Sequence, residues 1–281
     1  MRRILAALAL SGLATPCFAQ ALPFEQVWKT GGLANPESVI YAPELDAFLV
    51  SNINGGVPNE EDGDGYIARL SLEGELDPEP FATGLDGPKG MAIKDGRLYV
   101  ADFNDLVEID LSSGAVLNRH HLEGAQFLND VTVTPAGEVL VTDMRAGQIW
   151  TLGADGLDLW MEDEAFGTYI NGLLAEEDRL LALTAQGLVA IDYETRAVTV
   201  FAPGVEAGDG AVPDGRGGYV ATSWGGRIYH VSAEGETRTV SDTRLMGVNS
   251  ADPGYAPQAG LFAVPTFFDN AVLAFRFAET D

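Results

Sequence analysis

The sequence predicts an all-β protein, a six-bladed β-propeller of four-stranded antiparallel blades whose ring is closed by the N-terminal strand in the last blade. Three observations carry this expectation. Short runs of apolar, β-branched and aromatic residues alternate with Gly, Asp, Asn and Pro, and no stretch keeps a helical period. One unit recurs about every 40 residues, the spacing of a four-stranded blade. The last copy is one strand short, while one unpaired strand precedes the first copy.

The chain opens on a secretory signal. Arg2 and Arg3 supply the charged start, Ile4 to Leu13 the apolar run, and Cys17-Phe18-Ala19 small residues at the cleavage positions. Residues 1–19 are therefore expected to be removed, leaving a propeller over 20–281. The run is too short to span a bilayer. The address is periplasmic or secreted, with no membrane association after cleavage. Cleavage also removes Cys17, the only cysteine, so the mature chain has neither disulfide nor thiol chemistry and must be held by its core.

Phe24-Glu25-Gln26-Val27-Trp28 follows, a strand with no partner of its own nearby. The repeating unit then begins: a polar residue, a strand, a turn, a second strand ending on a small or polar residue, a turn and a third strand. Lys89-Gly90-Met91-Ala92-Ile93 followed by Leu98-Tyr99-Val100-Ala101-Asp102 is a clear copy. Asn129-Asp130-Val131-Thr132-Val133 followed by Val139-Leu140-Val141-Thr142-Asp143 is another. The units open at Glu37, Lys89, Asn129, Asn171, Asp209 and Asn249, at separations of 52, 40, 42, 38 and 40 residues. The long first unit contains Glu60-Glu61-Asp62-Gly63-Asp64-Gly65, read as a solvated loop because it lacks the ligand spacing of an EF-hand. The last unit ends at Ala271–Phe277. Adding the N-terminal strand there as the outer strand completes it and removes exposed edges.

Charge excludes some partners. Without Arg2 and Arg3 the chain holds 14 basic against 42 acidic side chains, a net of −28. Such a surface repels nucleic acid and anionic lipid. A small-molecule substrate and a monomeric state are expected instead.

In a propeller blade the innermost strand starts, and the second strand ends, at one face of the disc. The six opening residues therefore surround one mouth of the central channel. Asn52, Asp102, Asp143, Arg145, Trp224 and Phe267 are expected around them, and with Asn249 and Phe127 they form the candidate substrate contacts. Asn-Asp, Asn-Gly and Asp-Gly pairs also serve turns, which is the bland reading of these positions. A glutamate at the first of them is not explained by turns. Carboxylate and amide oxygens suit a hard divalent cation, so Glu37, Asn129, Asn171 and Asp209 are candidate ligands. Calcium leads, with magnesium, manganese or zinc as alternatives. Lys89 faces the same mouth, where it either acts beside the metal or pairs with Glu37 and Asp209 in its place. His120, His121 and His230 fall in outer or third strands, away from the mouth.

At Pro36-Glu37, Asn129-Asp130, Asn171-Gly172 and Asp209-Gly210 the chain resembles the gluconolactonase and senescence-marker-protein (regucalcin) family of six-bladed, calcium-dependent lactonases. The resemblance implies Glu37, Asn171 and Asp209 as metal ligands, with Asn129 on the metal or the substrate. It also implies Asp209 as general base. Members acting on sugar lactones carry an arginine where this chain has Phe127, so a sugar lactone is not implied. The expected activity is metal-dependent hydrolysis of a lactone or related ester, with Asp209 and Lys89 as catalytic candidates. The alternative is a non-catalytic propeller that binds a small molecule or a protein, with Lys89 salt-bridged in place of a metal.

Overall fold

The protein is described from a computed structural model over residues 23–55 and 61–278. The proposed signal, residues 1–19, lies outside the described residues, as does Glu60 of the acidic loop. The chain forms six four-stranded antiparallel sheets, each with its strands in sequence order, except that the first strand of the chain joins the last sheet. Strand β1 is Phe24–Gly31. Blade one is β2 Pro36–Ala42, β3 Ala47–Asn52, β4 Gly65–Ser71 and β5 Ala82–Leu85. Blade two is β6 Pro88–Lys94, β7 Arg97–Asp102, β8 Asp105–Asp110 and β9 Val116–His121. Blade three is β10 Leu128–Val133, β11 Val139–Asp143, β12 Gln148–Leu152 and β13 Leu157–Glu162. Blade four is β14 Ile170–Ala175, β15 Arg179–Thr184, β16 Gly187–Asp192 and β17 Val198–Ala202. Blade five is β18 Gly208–Pro213, β19 Tyr219–Ser223, β20 Arg227–Val231 and β21 Thr237–Asp242. Blade six is β22 Gly254–Ala256, β23 Leu261–Thr266, β24 Ala271–Phe277 and, as its outer strand, β1.

The first strands of neighbouring blades touch one another all the way round, β22 against β2 included, so they line the central channel. Burial follows the radius. β3, β11, β19 and β23 are buried along their whole length, whereas β9 is largely exposed and β17 partly so. The buried strands read as continuous apolar runs because blades cover both of their faces. Six apolar clusters fill the six blade-to-blade interfaces. In one, Leu98, Val100 and Val107 of blade two meet Leu49, Ile67 and Leu85 of blade one.

Closure is antiparallel pairing of β1 with β24, from Phe24 opposite Phe277 to Gly31 opposite Ala271. The Phe24 ring stacks on Phe275 at 4.9 Å between centroids. Farther along β1, the Trp28 Nε1–H donates to Leu72 O of blade one at 2.9 Å. One strand thus satisfies the last blade and grips the first.

Candidate functional site

Five innermost strands share one irregularity. Pro36 pairs with Asn52, but the next pair is Val39 with Val50, so β2 holds one residue more than β3 over this step. The same bulge recurs in β6, β10, β14 and β18. Its first residue is Glu37, Lys89, Asn129, Asn171 or Asp209. A bulge bends the strand and re-aims its side chains, here into the channel. Polar residues poor in β propensity are tolerated because ladder pairing is already broken there. In three of these bulges the residue after the first is held by a hydroxyl of the second strand. Asp130 N–H donates to Thr142 Oγ1 at 2.9 Å, Gly210 N–H to Thr222 Oγ1 at 3.2 Å, and Ser38 N–H to Ser51 Oγ at 3.0 Å.

The Asn-Gly and Asp-Gly pairs are therefore not turns. Gly172 and Gly210 stand within strands where the next blade comes too near for a side chain. A Cβ on Gly172 would meet Asp209 O, and one on Gly210 would meet Asp252 Oδ1, inside contact distance. Glycine is required there by close approach.

These five side chains line a cavity of about 400 Å³ at the channel mouth, together with Ile53, Phe127, Met144, Tyr169, Ala207, Trp224, Phe267 and Phe268. The sixth opening residue, Asn249, does not line it. Its Oδ1 accepts from Phe268 N–H at 3.2 Å, and its Nδ2 is buried without a partner. Continuing the β22–β23 register brings Ala251, not Asn249, level with the other five.

Asn52, Asp102 and Asp143 also lie outside the cavity lining. Each ends a second strand and fastens the loop leading to an inner strand. Asn52 Oδ1 accepts from Ala34 N–H at 3.0 Å. Asp102 Oδ1 accepts from Gly87 N–H at 2.7 Å and from Asp86 N–H at 2.9 Å. Asp143 accepts from Gln126 N–H at 2.8 Å and Phe127 N–H at 2.9 Å. Side chains alternate along a strand, so the next residue faces the mouth instead. Ile53, Met144, Trp224 and Phe267 occupy that position, directly after β3, β11, β19 and β23. Arg145 stacks on the Phe127 ring, its guanidinium 4.4 Å from the centroid. The sequence reading missed Ile53, Met144, Tyr169, Ala207 and Phe268. For the first four the signal was positional: one residue past a second strand, or two before the ring residue.

His120 and His121 lie in the outer strand β9 and His230 in the third strand β20. His120 Nε2 sits 2.6 Å from Glu108 Oε1, and His230 Nε2 sits 2.9 Å from Asp214 Oδ2.

Electrostatically the channel is overloaded with acid. Glu37 and Asp209 line the cavity, and Asp130 and Asp252 stand one residue deeper. Burial, then the Asp252 charge, pushes Asp209 up to about 8. Burial, then the charges of Asp209 and Asp252, holds Glu37 well above the usual carboxylate range. Burial raises Asp252 to about 7, and burial with the Asp252 charge raises Asp130. The one cation lining the cavity, Lys89, is lowered by burial to about 8 against the pull of Glu37 and Asp102.

Lys89 does not plug the site. Its Nζ donates to Gly87 O at 2.8 Å and lies 4.8 Å from the Phe127 ring centroid. Among the described residues no carboxylate lies within ion-pair distance of it. The alternative in which Lys89 pairs with Glu37 and Asp209 in place of a metal is therefore not what the ion pairs of the described residues show. Glu37 Oε2 and Asp209 Oδ2 are consequently buried with no hydrogen-bond partner. Asp209 Oδ1 is held by Asn171 Nδ2 at 2.6 Å, and Tyr169 O–H donates to Gly208 O at 2.9 Å. Two orphaned carboxylate oxygens beside two carboxamides fit a hard cation, which would satisfy both at once. Among the described residues no group of three or more Asp, Glu, His or Cys side chains forms a ligand set, so the amide oxygens of Asn129 and Asn171 are needed.

Fold and site together define the chain as a six-bladed β-propeller with a polar-floored cavity at one mouth of its channel. No protein-family model matches the sequence, and no curated protein matches it. Solved structures do match. A gluconolactonase from Xanthomonas campestris superposes with a TM-score of 0.69 at 15% identity, over 91% of this chain and 89% of that one. A catalytically inactive virginiamycin B lyase from Staphylococcus aureus, with quinupristin, gives 0.61 at 13% identity, over 92% and 100%. A streptogramin B lyase gives 0.60 at 11% identity, over 91% and 97%. At these identities the likeness is one of fold, and the fold carries both named activities.

Proposed function

We propose that the chain is a periplasmic or secreted, metal-dependent hydrolase of a lactone or related ester. The observation that supports this reading best is the pair of orphaned buried oxygens, Glu37 Oε2 and Asp209 Oδ2, on two residues that line one cavity with Asn129 and Asn171. These four residues would hold the cation, calcium first and magnesium, manganese or zinc as alternatives. When bound, it supplies polarisation of the substrate carbonyl. The fold likeness to a gluconolactonase agrees with this chemistry but does not select it over a lyase.

The residues divide the work. Asn171 orients Asp209 by its bond to Oδ1, which leaves Oδ2 without a partner in a residue that lines the cavity. Asp209 takes a proton from water as the water oxygen bonds to the carbonyl carbon. The bond to the ring or ester oxygen then breaks, and Asp209 returns the proton to that oxygen. Lys89 lines the same cavity and would place positive charge near the oxygen on which negative charge develops.

The test is metal analysis of the purified protein, followed by turnover of a lactone panel in ¹⁸O-labelled water. The expected result is a bound divalent ion, or activity restored by calcium, with one labelled oxygen in the product carboxylate. Ring opening without label would assign a lyase. No ion and no turnover with any of the four metals would leave a binding propeller.

A further inference from the structure

The polarity of the cavity is split by depth. Its charged and carboxamide groups, Glu37, Lys89, Asn129, Asn171 and Asp209, all come from the innermost strands and form the floor. Above them the lining is mostly apolar: Ile53, Phe127, Met144, Ala207, Trp224 and Phe267, with Phe268 at the rim, and the hydroxyl of Tyr169 donates to Gly208 O. Trp224, Phe267 and Phe268 make one aromatic cluster, with centroids 5.3, 5.8 and 5.0 Å apart. Two of its members reach solvent, Trp224 at 37% and Phe268 at 65% exposure. Exposed aromatics joined to an apolar cavity wall mark a ligand-binding surface more than isolated ones do.

We infer that the substrate is an amphiphile, with one carbonyl head for the floor and an aliphatic or aromatic body for the walls, and not a polyhydroxylated lactone. This rests on the reading of the floor as the reacting end. A hydroxylated ring would press its hydroxyls against Ile53, Met144 and the aromatic cluster, losing water without gaining a partner. An alkyl substituent in the same place removes its own surface and that of the walls from water. The volume of about 400 Å³ lies at the small end of ligand pockets and favours a compact body.

Non-hydrolysable 5-alkyl-2-pyrrolidinones, from methyl to hexyl, separate binding from turnover. Titrated calorimetrically into the calcium-loaded protein, they should bind about three- to fourfold more tightly per added methylene until the walls are covered. The lactam of gluconic acid should bind more weakly than the methyl compound. Trp224→Ala should flatten the chain-length series, and Phe268→Ala, at a position 65% exposed, should shorten it. A flat series in the unaltered protein, or tighter binding of the polyhydroxylated lactam, would overturn the inference. Chain-length-dependent binding with no turnover of the matching lactones would support it while removing the hydrolase reading.

Discussion

At the scale of the residue, Asp209 combines three conditions seldom met together. It is fully buried, one oxygen is fixed by Asn171, and the other has no partner. An unpaired buried carboxylate oxygen costs about 1–3 kcal/mol, so the fold sustains it against its own stability. Asp209→Asn keeps the shape and an amide oxygen for a cation but cannot accept a proton from water. Turnover should fall roughly 10²- to 10⁴-fold without a loss of melting temperature. Unchanged kcat/KM would remove Asp209 as the base. The site was partly legible in the residues themselves. Glu37, Lys89, Asn129, Asn171 and Asp209 were found from one recurring position, and all five line the cavity. Asn52, Asp102 and Asp143 were misplaced by one residue, because strand alternation turns the last residue of each second strand toward the loops. Asn249 was misplaced because the sixth inner segment is irregular, and spacing alone does not reveal that Ala251 takes its level.

At the scale of the element, the repeated bulge is what turns strands into a site. It depends on inner strands lying close enough for backbone to meet backbone, which small residues allow. Gly210→Ala would force a methyl group against Asp252 Oδ1 and Pro253. Overpacking of this kind costs about 1–3 kcal/mol. The variant should melt several degrees lower and, by moving Asp209, bind calcium more weakly. The same melting temperature and calcium affinity as the unaltered protein would show that β18 and β22 part easily. The bulge was not legible in the sequence, since an Asn-Gly or Asp-Gly pair looks alike in a turn and in a bulged strand. What separates the two is the partner across the blade interface, and that partner lies about 40 residues away in the chain.

At the scale of the whole molecule, the ring encloses four raised carboxyl groups and one ammonium. A carboxyl whose pKa is higher in the folded than in the unfolded chain makes the native state hold more protons, so stability falls as pH rises. For Asp252 and Asp209 the loss begins above the usual carboxylate range and runs through about 7 and about 8. Lys89, lowered to about 8, acts in the opposite sense, but only above that pH. The chelator-treated protein should therefore lose thermal stability between about pH 5 and about pH 8. Calcium should reverse the loss, and more strongly at the higher pH, where protons no longer compete for the same oxygens. A melting temperature independent of both pH and calcium would argue against a cation in the channel.

The amino-acid sequence by itself determined the blade count, the closing role of β1 and the identity of five floor residues. Those features follow from local periodicity and from a position repeated in each unit, which a linear reading captures. Only the tertiary structure decided that Lys89 leaves Glu37 and Asp209 unpaired, that Asp130 and Asp252 add charge beneath them, and that the walls above are apolar. These are relations between blades, set by how far one ring of backbone stands from the next. No spacing along a single chain encodes that distance.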